Sequence, residues 1–366
     1  MSKINVVSLF SGGGGLDLGF MSAGYNIIWA IDNNKNAVET YKKNIGNHII
    51  LEDINKIDLN DIPKADVIIG GPPCQSFSLA GKRNVEDSRG RLVWRYLDII
   101  KKIKPKAFVF ENVTGLMSAK NTDGDKIVEL LQTEFKKIDY KVSLKILNAA
   151  DYGVPQKRRR VIIVGLNNNK EFSFPVPKYS EKGNNGLKKY ISVEEALGDL
   201  PSTFSKNATY RFEPVNEYQK RMRKGIKNDT IHDHDTPQMS ELDTYIVKHV
   251  KPGGNYMDIP KSVKSKRIQR LQRDGGHTTC YGRMSPDSPS YTINTYFNRP
   301  NVGCNIHYKE DRLITVREAL RLQSFPDWYE LVSSTKQGKN MIVGNAVPPI
   351  LAEAVALELK NYLESD

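Results

Sequence analysis

One thiol in this chain stands where a nucleophile could work. Cys74 lies in Gly70-Gly71-Pro72-Pro73-Cys74-Gln75-Ser76-Phe77-Ser78, directly after the apolar run Asp66 to Ile69. A cysteine is most often a small buried hydrophobe. One that follows two stiffening prolines at the end of a strand is placed for reaction instead. A free thiol of pKa near 8.5 is only about 3% thiolate at pH 7, so its neighbours must favour the anion. Glu111-Asn112-Val113 offers an acid at the end of a second apolar run, Ala107 to Phe110. Gln156-Lys157-Arg158-Arg159-Arg160 abuts a third, Val161 to Val164. Three arginines against a buried strand are costly unless they meet an anion.

A further chemical signal is the turn Phe10-Ser11-Gly12-Gly13-Gly14-Gly15-Leu16. Glycines let backbone approach a ligand and aim helix N–H groups at it. The dinucleotide pattern GxGxxG would need a glycine where Asp17 or Leu18 stands, which disfavours NAD. Asp32 ends the next strand-like run and is placed either to hold ribose hydroxyls or to cap a helix. Asp53-Ile54 follows a third strand and is placed to accept a bond from an adenine amino group.

These groups need a scaffold that brings strand ends together. Ile4 to Leu9, Ile27 to Ile31, Asp66 to Ile69, Ala107 to Phe110, Val142 to Leu147 and Val161 to Val164 read as strands. Helical patterns alternate with them: Leu16 to about Gly24, Asn34 to Asn44, and Arg91 to Lys104 before Pro105. Such alternation predicts an α/β fold with a doubly wound, mostly parallel sheet, whose carboxyl edge binds ligands. Residues 171–310 are rich in Asn, Ser, Pro, Tyr and charge and predict a second, smaller, irregular domain. Helical signals return at Thr315 to Leu322 and Ile350 to Leu363. The expected division is 1–177, 178–280, and 281–366 for a return to the first domain.

The chain has 366 residues, an apolar fraction of 39% and a formal net charge of +12. That charge favours a polyanionic partner, through release of counterions from phosphate. Cys74, Cys280 and Cys304 are the three cysteines, with no CxxC pair, so neither a disulfide framework nor a cysteine zinc site is indicated. His232 and His234 flank Asp233 in a polar stretch and read as surface residues, with no metal role. No signal peptide or bilayer-spanning run is apparent, and a cytoplasmic location is expected.

Taken in order, these motifs resemble the cytosine-5 DNA methyltransferases of restriction–modification systems. The matches are Phe10 to Gly15, Gly71 to Gln75, Glu111 to Val113, Gln156 to Arg160 and Gly344-Asn345-Ala346-Val347-Pro348, with further likeness at Asp87 to Gly90 and Arg312 to Pro326. The resemblance covers about residues 4–166 and 285–360, and implies the S-adenosylmethionine-dependent methyltransferase fold, with 1–177 as the catalytic and cofactor-binding domain and 178–280 as the target-recognition domain. It implies that Cys74 adds to C6 of a cytosine, that Glu111 contacts N3 and the exocyclic amine, that Arg160 lies near O2 as the second arginine of the family's Q-x-R-x-R pattern, and that Arg158, the first, is also catalytic. It assigns the cofactor S-adenosyl-L-methionine to Phe10, Gly12, Gly14, Asp32, Asn33, Asp53, Ile54, Pro72, Leu92, Asn345 and Val347. Asp32 stands where the family most often has glutamate, and Asn33 where some members have an aromatic ring.

The partner this implies is double-stranded DNA, bound by a monomer without a membrane, with a restriction endonuclease as a possible functional companion. The base must leave the duplex, at a cost of a few kcal/mol. Gln75, Ser78, Lys264, Arg267, Arg270 and Arg273 are the expected DNA contacts, and no acidic residue lies between 261 and 273. Three other readings compete. A tRNA cytosine methyltransferase shares this fold and these motifs. A non-catalytic DNA binder explains the charge but not the Cys74, Glu111 and Arg160 set. A Cys-His hydrolase lacks a partner histidine in any motif.

Overall fold

The computed structural model describes residues 3–73, 91–121, 123–202, 208–210 and 212–364. Cys74, Gln75, Ser78 and the Asp87 to Gly90 stretch lie outside the described residues. The first half alternates as the sequence predicts: β1 (Asn5–Leu9), α1 (Gly15–Ser22), β2 (Asn26–Asp32), α2 (Lys35–Asn44), β3 (Ile49–Leu51), β4 (Val67–Gly70), α3 (Arg91–Ile103), β5 (Ala107–Val113), α4 (Ile127–Lys136) and β6 (Lys141–Asn148). The short β7 (Gln156–Lys157) and the long β8 (Arg159–Leu166) follow.

A seven-stranded sheet runs in the order β3-β2-β1-β4-β5-β8-β6. The first five strands are mutually parallel, and β8 is antiparallel to both β5 and β6. Chain order reverses at β1, which sits between β2 and β4. That is the switch point where doubly wound sheets open a crevice. β4 is buried throughout, as expected for a strand covered on both faces. Tyr96 of α3 packs edge-on to Phe110, with ring centroids 5.3 Å apart, and spends its hydroxyl on the Val109 carbonyl at 3.0 Å.

The second half holds β9 (Tyr179–Ser180), β10 (Lys188–Lys189), α5 (Val193–Leu197), α6 (Glu217–Arg223), α7 (Glu241–His249), α8 (Lys266–Asp274), β11 (Ser290–Tyr291), α9 (Val316–Leu322), α10 (Lys336–Asn345) and α11 (Pro349–Leu363). The chain divides into two compact units: Met1–Asn148 with Arg159–Val176 and Pro349–Asp366, and Ala149–Arg158 with Pro177–Pro348. The return to the first unit thus comes at Pro349, not at 281. The reason is packing: Tyr281, Ile306 and Leu313 share a buried cluster with Ile246, Val247, Val250 and Ile268.

In the first unit α11 packs against α1. Tyr25 donates its hydroxyl to the Ala356 carbonyl at 3.0 Å. Gly19 permits the close approach, because a Cβ there would lie 2.6 Å from both the Pro349 carbonyl oxygen and the Glu353 nitrogen. These are backbone atoms of a buried helix and cannot swing aside. Gly19→Val is therefore expected to cost about 2–3 kcal/mol of stability through overpacking, read as a lower denaturant midpoint with an unchanged slope.

Candidate active site

The carboxyl ends of parallel β1, β2, β4 and β5 share one sheet edge. Antiparallel β8 brings its amino end to that edge, where Val113 pairs with Arg160 in register. This places Arg160 Nε 2.7 Å from Glu111 Oε1. Both side chains are about 10% exposed. A buried pair of this kind gains less from attraction than it loses in hydration unless other polar groups support it. It is therefore a poor device for stability and a good one for holding an acid in place.

The loop after β4 is built around this pair. A Cβ on Gly71 would lie 2.7 Å from Glu111 Oε2, so only glycine fits without displacing the carboxylate. Asn112 donates Nδ2 to the Pro72 carbonyl at 2.9 Å, while its Oδ1 accepts from the Val113 nitrogen at 2.9 Å. One asparagine thus ties the end of β5 to the Pro72-Pro73 segment that leads into Cys74.

The turn after β1 has Phe10, Gly12 and Gly14 at positive φ (55°, 56° and 87°). Nothing lies within 4 Å of the position a Gly12 Cβ would take, so the backbone there faces open space. Asp32, at the end of β2, accepts from Gly12 N and Asn34 N, each at 2.8 Å. Burial pushes its carboxyl above the usual range, and backbone N–H groups offset part of that. Asn34 rather than Asp32 caps α2. Asp53 is half-buried and accepts from Asn55 N at 2.9 Å. Ile54, Pro72 and Val347 are buried, Phe10 and Leu92 half-buried, and Asn33 and Asn345 exposed. An open glycine turn at the switch point, flanked by acids on two strand ends, fits a nucleoside-bearing cofactor. Phe10, Gly12, Gly14, Asp32, Asn33, Asp53, Ile54, Pro72 and Leu92 belong to the first unit, and Asn345 and Val347 to the second.

Arg158 departs from the expectation of a catalytic role beside Arg160. It is fully buried in the second unit, donating to the Ile293 carbonyl at 2.9 Å and the Gly344 carbonyl at 2.7 Å. Gln156 joins it, accepting from Ile293 N at 3.0 Å and donating to the Leu322 carbonyl at 3.1 Å. Gln323 donates to the Val343 carbonyl at 2.5 Å. These bonds satisfy carbonyls at the end of α10, which a helix cannot satisfy itself. Arg158 therefore supports the backbone just before Asn345.

His234 also differs from expectation. It is buried, with Nδ1 3.0 Å from Thr315 Oγ1 and Nε2 2.8 Å from the Pro201 carbonyl. Burial lowers its pKa, which suits a neutral ring bridging the cap of α9. His232 stands 3.5 Å from Glu330. Among the described residues no cluster of metal ligands occurs.

Lys264, Arg267, Arg270 and Arg273 are exposed on or beside α8, which Ser265 caps. Asp274, one residue past the basic run, pairs with Arg270 at 3.4 Å and Arg273 at 2.7 Å. Exposed pairs of this kind are worth little and exchange readily for phosphate.

A sheet of this order, with an acid–arginine pair at one strand end and an open glycine turn at another, defines a methyltransferase-type α/β enzyme. The family model for C-5 cytosine-specific DNA methylases matches residues 4–361. The Type II methyltransferase M.NgoFVII of Neisseria gonorrhoeae is 38% identical over 353 residues, covering 95% of this chain and 84% of the relative. The Type II methyltransferase M.DdeI of Desulfomicrobium norvegicum is 35% identical, covering 99% and 90%. A crystal structure assigned as a prophage-encoded DNA modification methyltransferase of E. coli superposes with a TM-score of 0.76 at 25% identity, covering 99% of this chain and 100% of that one. The S. pombe Dnmt2 methyltransferase shares the fold, with a TM-score of 0.61 at 19% identity over 98% and 99%. The chain belongs to the C-5 cytosine-specific DNA methylase family, and it is a DNA (cytosine-5) methyltransferase.

Gly71→Ala tests the packing of the loop on Glu111. Moving a positioned acid–base group costs about 10²–10⁴-fold in rate, so kcat should fall by at least tenfold while the melting temperature shifts by only a few degrees. Unchanged kcat would show that Glu111 does not depend on the glycine.

Proposed function

We propose that this chain methylates C5 of one cytosine within a specific duplex DNA sequence, through a covalent bond from Cys74 to C6, as the modification enzyme of a restriction–modification system. The observation that carries this reading is the Glu111–Arg160 pair, packed on Gly71 and tied through Asn112 to the segment entering Cys74.

Attack of the Cys74 thiolate on C6 breaks the C5–C6 double bond and moves electron density to C5. Glu111, passing a proton to N3 and accepting a hydrogen bond from the exocyclic amine, neutralises the negative charge that develops on the ring. Arg160 holds Glu111 in position and supplies positive charge beside the base. Phe10, Gly12, Asp32, Asp53, Ile54, Pro72 and Leu92 of the first unit would hold S-adenosyl-L-methionine, which when bound would supply an electrophilic methyl group. Loss of the C5 proton and departure of Cys74 restore the double bond and free the thiolate. C5 gains a methyl and gives its proton to solvent, the N3 proton returns to Glu111, and the donor leaves as S-adenosylhomocysteine.

The relatives at 30–38% identity carry Type II methyltransferase names, which favours duplex DNA over tRNA as the substrate. We place the working enzyme in the cytoplasm as a monomer, with an endonuclease of the same specificity as its functional companion. Sequence choice falls to the second unit, where α8 and the exposed Gly275-Gly276-His277-Thr278 tip follow one another. Gly275, at φ 82°, ends α8 and frees the tip to turn.

Cys74→Ser should abolish methyl incorporation into DNA while leaving DNA and cofactor affinity within about threefold, because a hydroxyl is a weak nucleophile at its free pKa. Duplex carrying 5-fluorocytosine at the target should trap a Cys74 adduct with the wild type. An adduct on Cys280 or Cys304, or methylation of tRNA in preference to DNA, contradicts the reading. For α8, Lys264→Ala and Arg267→Ala should each lower the salt slope of DNA binding by about 0.9, uniformly across sequences. A change confined to one base position would instead mark a base contact.

A further inference from the structure

Asp17 has no part in the mechanism above, yet it is fully buried in the first turn of α1, immediately after the glycine turn. Its Oδ1 accepts the Tyr41 hydroxyl at 2.9 Å, while its Oδ2 is buried without a hydrogen-bond partner among the described residues. The Tyr41 hydroxyl in turn lies 3.1 Å from His48 Nε2. Ser11 Oγ donates to Ser8 Oγ at 2.9 Å, which extends the network into the turn itself. The Tyr41 ring lies against the turn as well, since a Cβ on Gly14 would come within 3.0 Å of it.

We propose that Asp17 is a buried counter-charge that favours the cationic methyl donor over the neutral product. This rests on the reading of Phe10 to Gly15 as the cofactor turn. S-adenosylmethionine and S-adenosylhomocysteine share their adenosine, ammonium and carboxylate groups and differ by one methyl and the sulfonium charge. A carboxylate beneath the turn, screened from water, acts on that difference through the low-dielectric interior rather than by contact. The effect would weaken product relative to donor and so speed exchange after each turnover.

The fold pays for this charge. Burial raises the Asp17 carboxyl to about 6, against the hydrogen bond from Tyr41 that lowers it, and the charge on Asp32 adds to the rise. A carboxyl whose folded pKa lies above its unfolded value loses stability as pH climbs from about 4 to about 6. At neutral pH the ionised group is a liability to the fold. An asparagine of the same shape would not be.

The groups facing Asp17 are few. β1 presents Ser8, β2 presents Asp32, α2 presents Tyr41, and His48 follows α2. α11, packed on α1 at Gly19, carries Glu353 and Lys360, and the Lys360 amine donates to the Ala23 carbonyl at 3.3 Å. His48 titrates below its ordinary value because it is partly buried.

The test is calorimetric titration of the full chain with S-adenosylmethionine and with S-adenosylhomocysteine, between pH 5.5 and 7.5. In the wild type the preference for donor should fall as pH drops through about 6. Asp17→Asn should lower that preference on the order of tenfold at pH 7.5, flatten its pH dependence, and leave the melting temperature equal or higher. His48→Gln should keep the wild-type profile. Equal losses for donor and product in Asp17→Asn, or no loss for either, overturn the proposal and leave Asp17 as packing. If Asp53→Ala and Asp32→Ala bind both ligands like the wild type, the cofactor reading fails and takes the proposal with it.

Discussion

Removing a carboxylate and a guanidinium from water costs several kcal/mol per ion, and their attraction returns that only when geometry is good. At Glu111 and Arg160 the geometry comes from strand register. β5 and β8 run antiparallel with Val113 opposite Arg160, so the arginine reaches across to a glutamate two residues earlier on the neighbouring strand. The rest of the edge follows from that placement. Gly71 leaves the Glu111 carboxylate undisplaced, and Asn112 can reach the Pro72 carbonyl because β4 and β5 are adjacent and parallel. A slip of one residue between β5 and β8 would turn Arg160 to the opposite face of the sheet.

Much of this was legible in the sequence, and for definite reasons. Strands buried on both faces must be runs of Val, Ile, Ala and Phe, and such runs stand out at Val67 to Ile69, Ala107 to Phe110 and Val161 to Val164. Motif residues at their ends then mark the working edge. The order of strands was not legible. Nothing local states that β8 inserts between β5 and β6, because that choice is made by tertiary packing. α4 was overlooked, although Ile127, Val128, Leu131 and Phe135 carry helical spacing. The unit boundary at Pro349 was equally hidden. It depends on Tyr281, Ile306 and Leu313 burying themselves beside α7 and α8 rather than on any change in composition.

Charge was the least readable property. A run of arginines gives no hint of which will be buried. Arg158 holds carbonyls at the end of α10, while Arg159, its immediate neighbour, is exposed. The same holds in α9, where Arg317 and Arg321 are fully buried. Arg321 bonds Asp199 at 2.6 Å and Asp327 at 2.6 Å, and Arg317 donates to the Tyr329 carbonyl at 2.6 Å. A domain short of regular structure leaves many carbonyls without ladder partners. Arginine, with five donors in a rigid fork, can gather several of them at once. His234 does a smaller version of the same work. In this unit the basic residues therefore serve two populations, one inside holding loops together and one on α8 facing solvent.

The packing of α11 on α1 bears on the order in which the protein can be made. Tyr25 and Ala356, joined by a hydrogen bond, are 331 residues apart in the chain. The ribosome finishes the first helix long before the helix that covers it exists, and at about 5–20 residues per second the wait lasts tens of seconds. During that interval the face of α1 at Gly19, against which α11 packs, has no native cover. The sheet also waits, since β8 emerges only after the Ala149–Arg158 excursion into the second unit. Folding of the first unit thus depends on long-range closure. Growth temperature and chaperone supply, rather than equilibrium stability, would then set the yield of active enzyme in a foreign host.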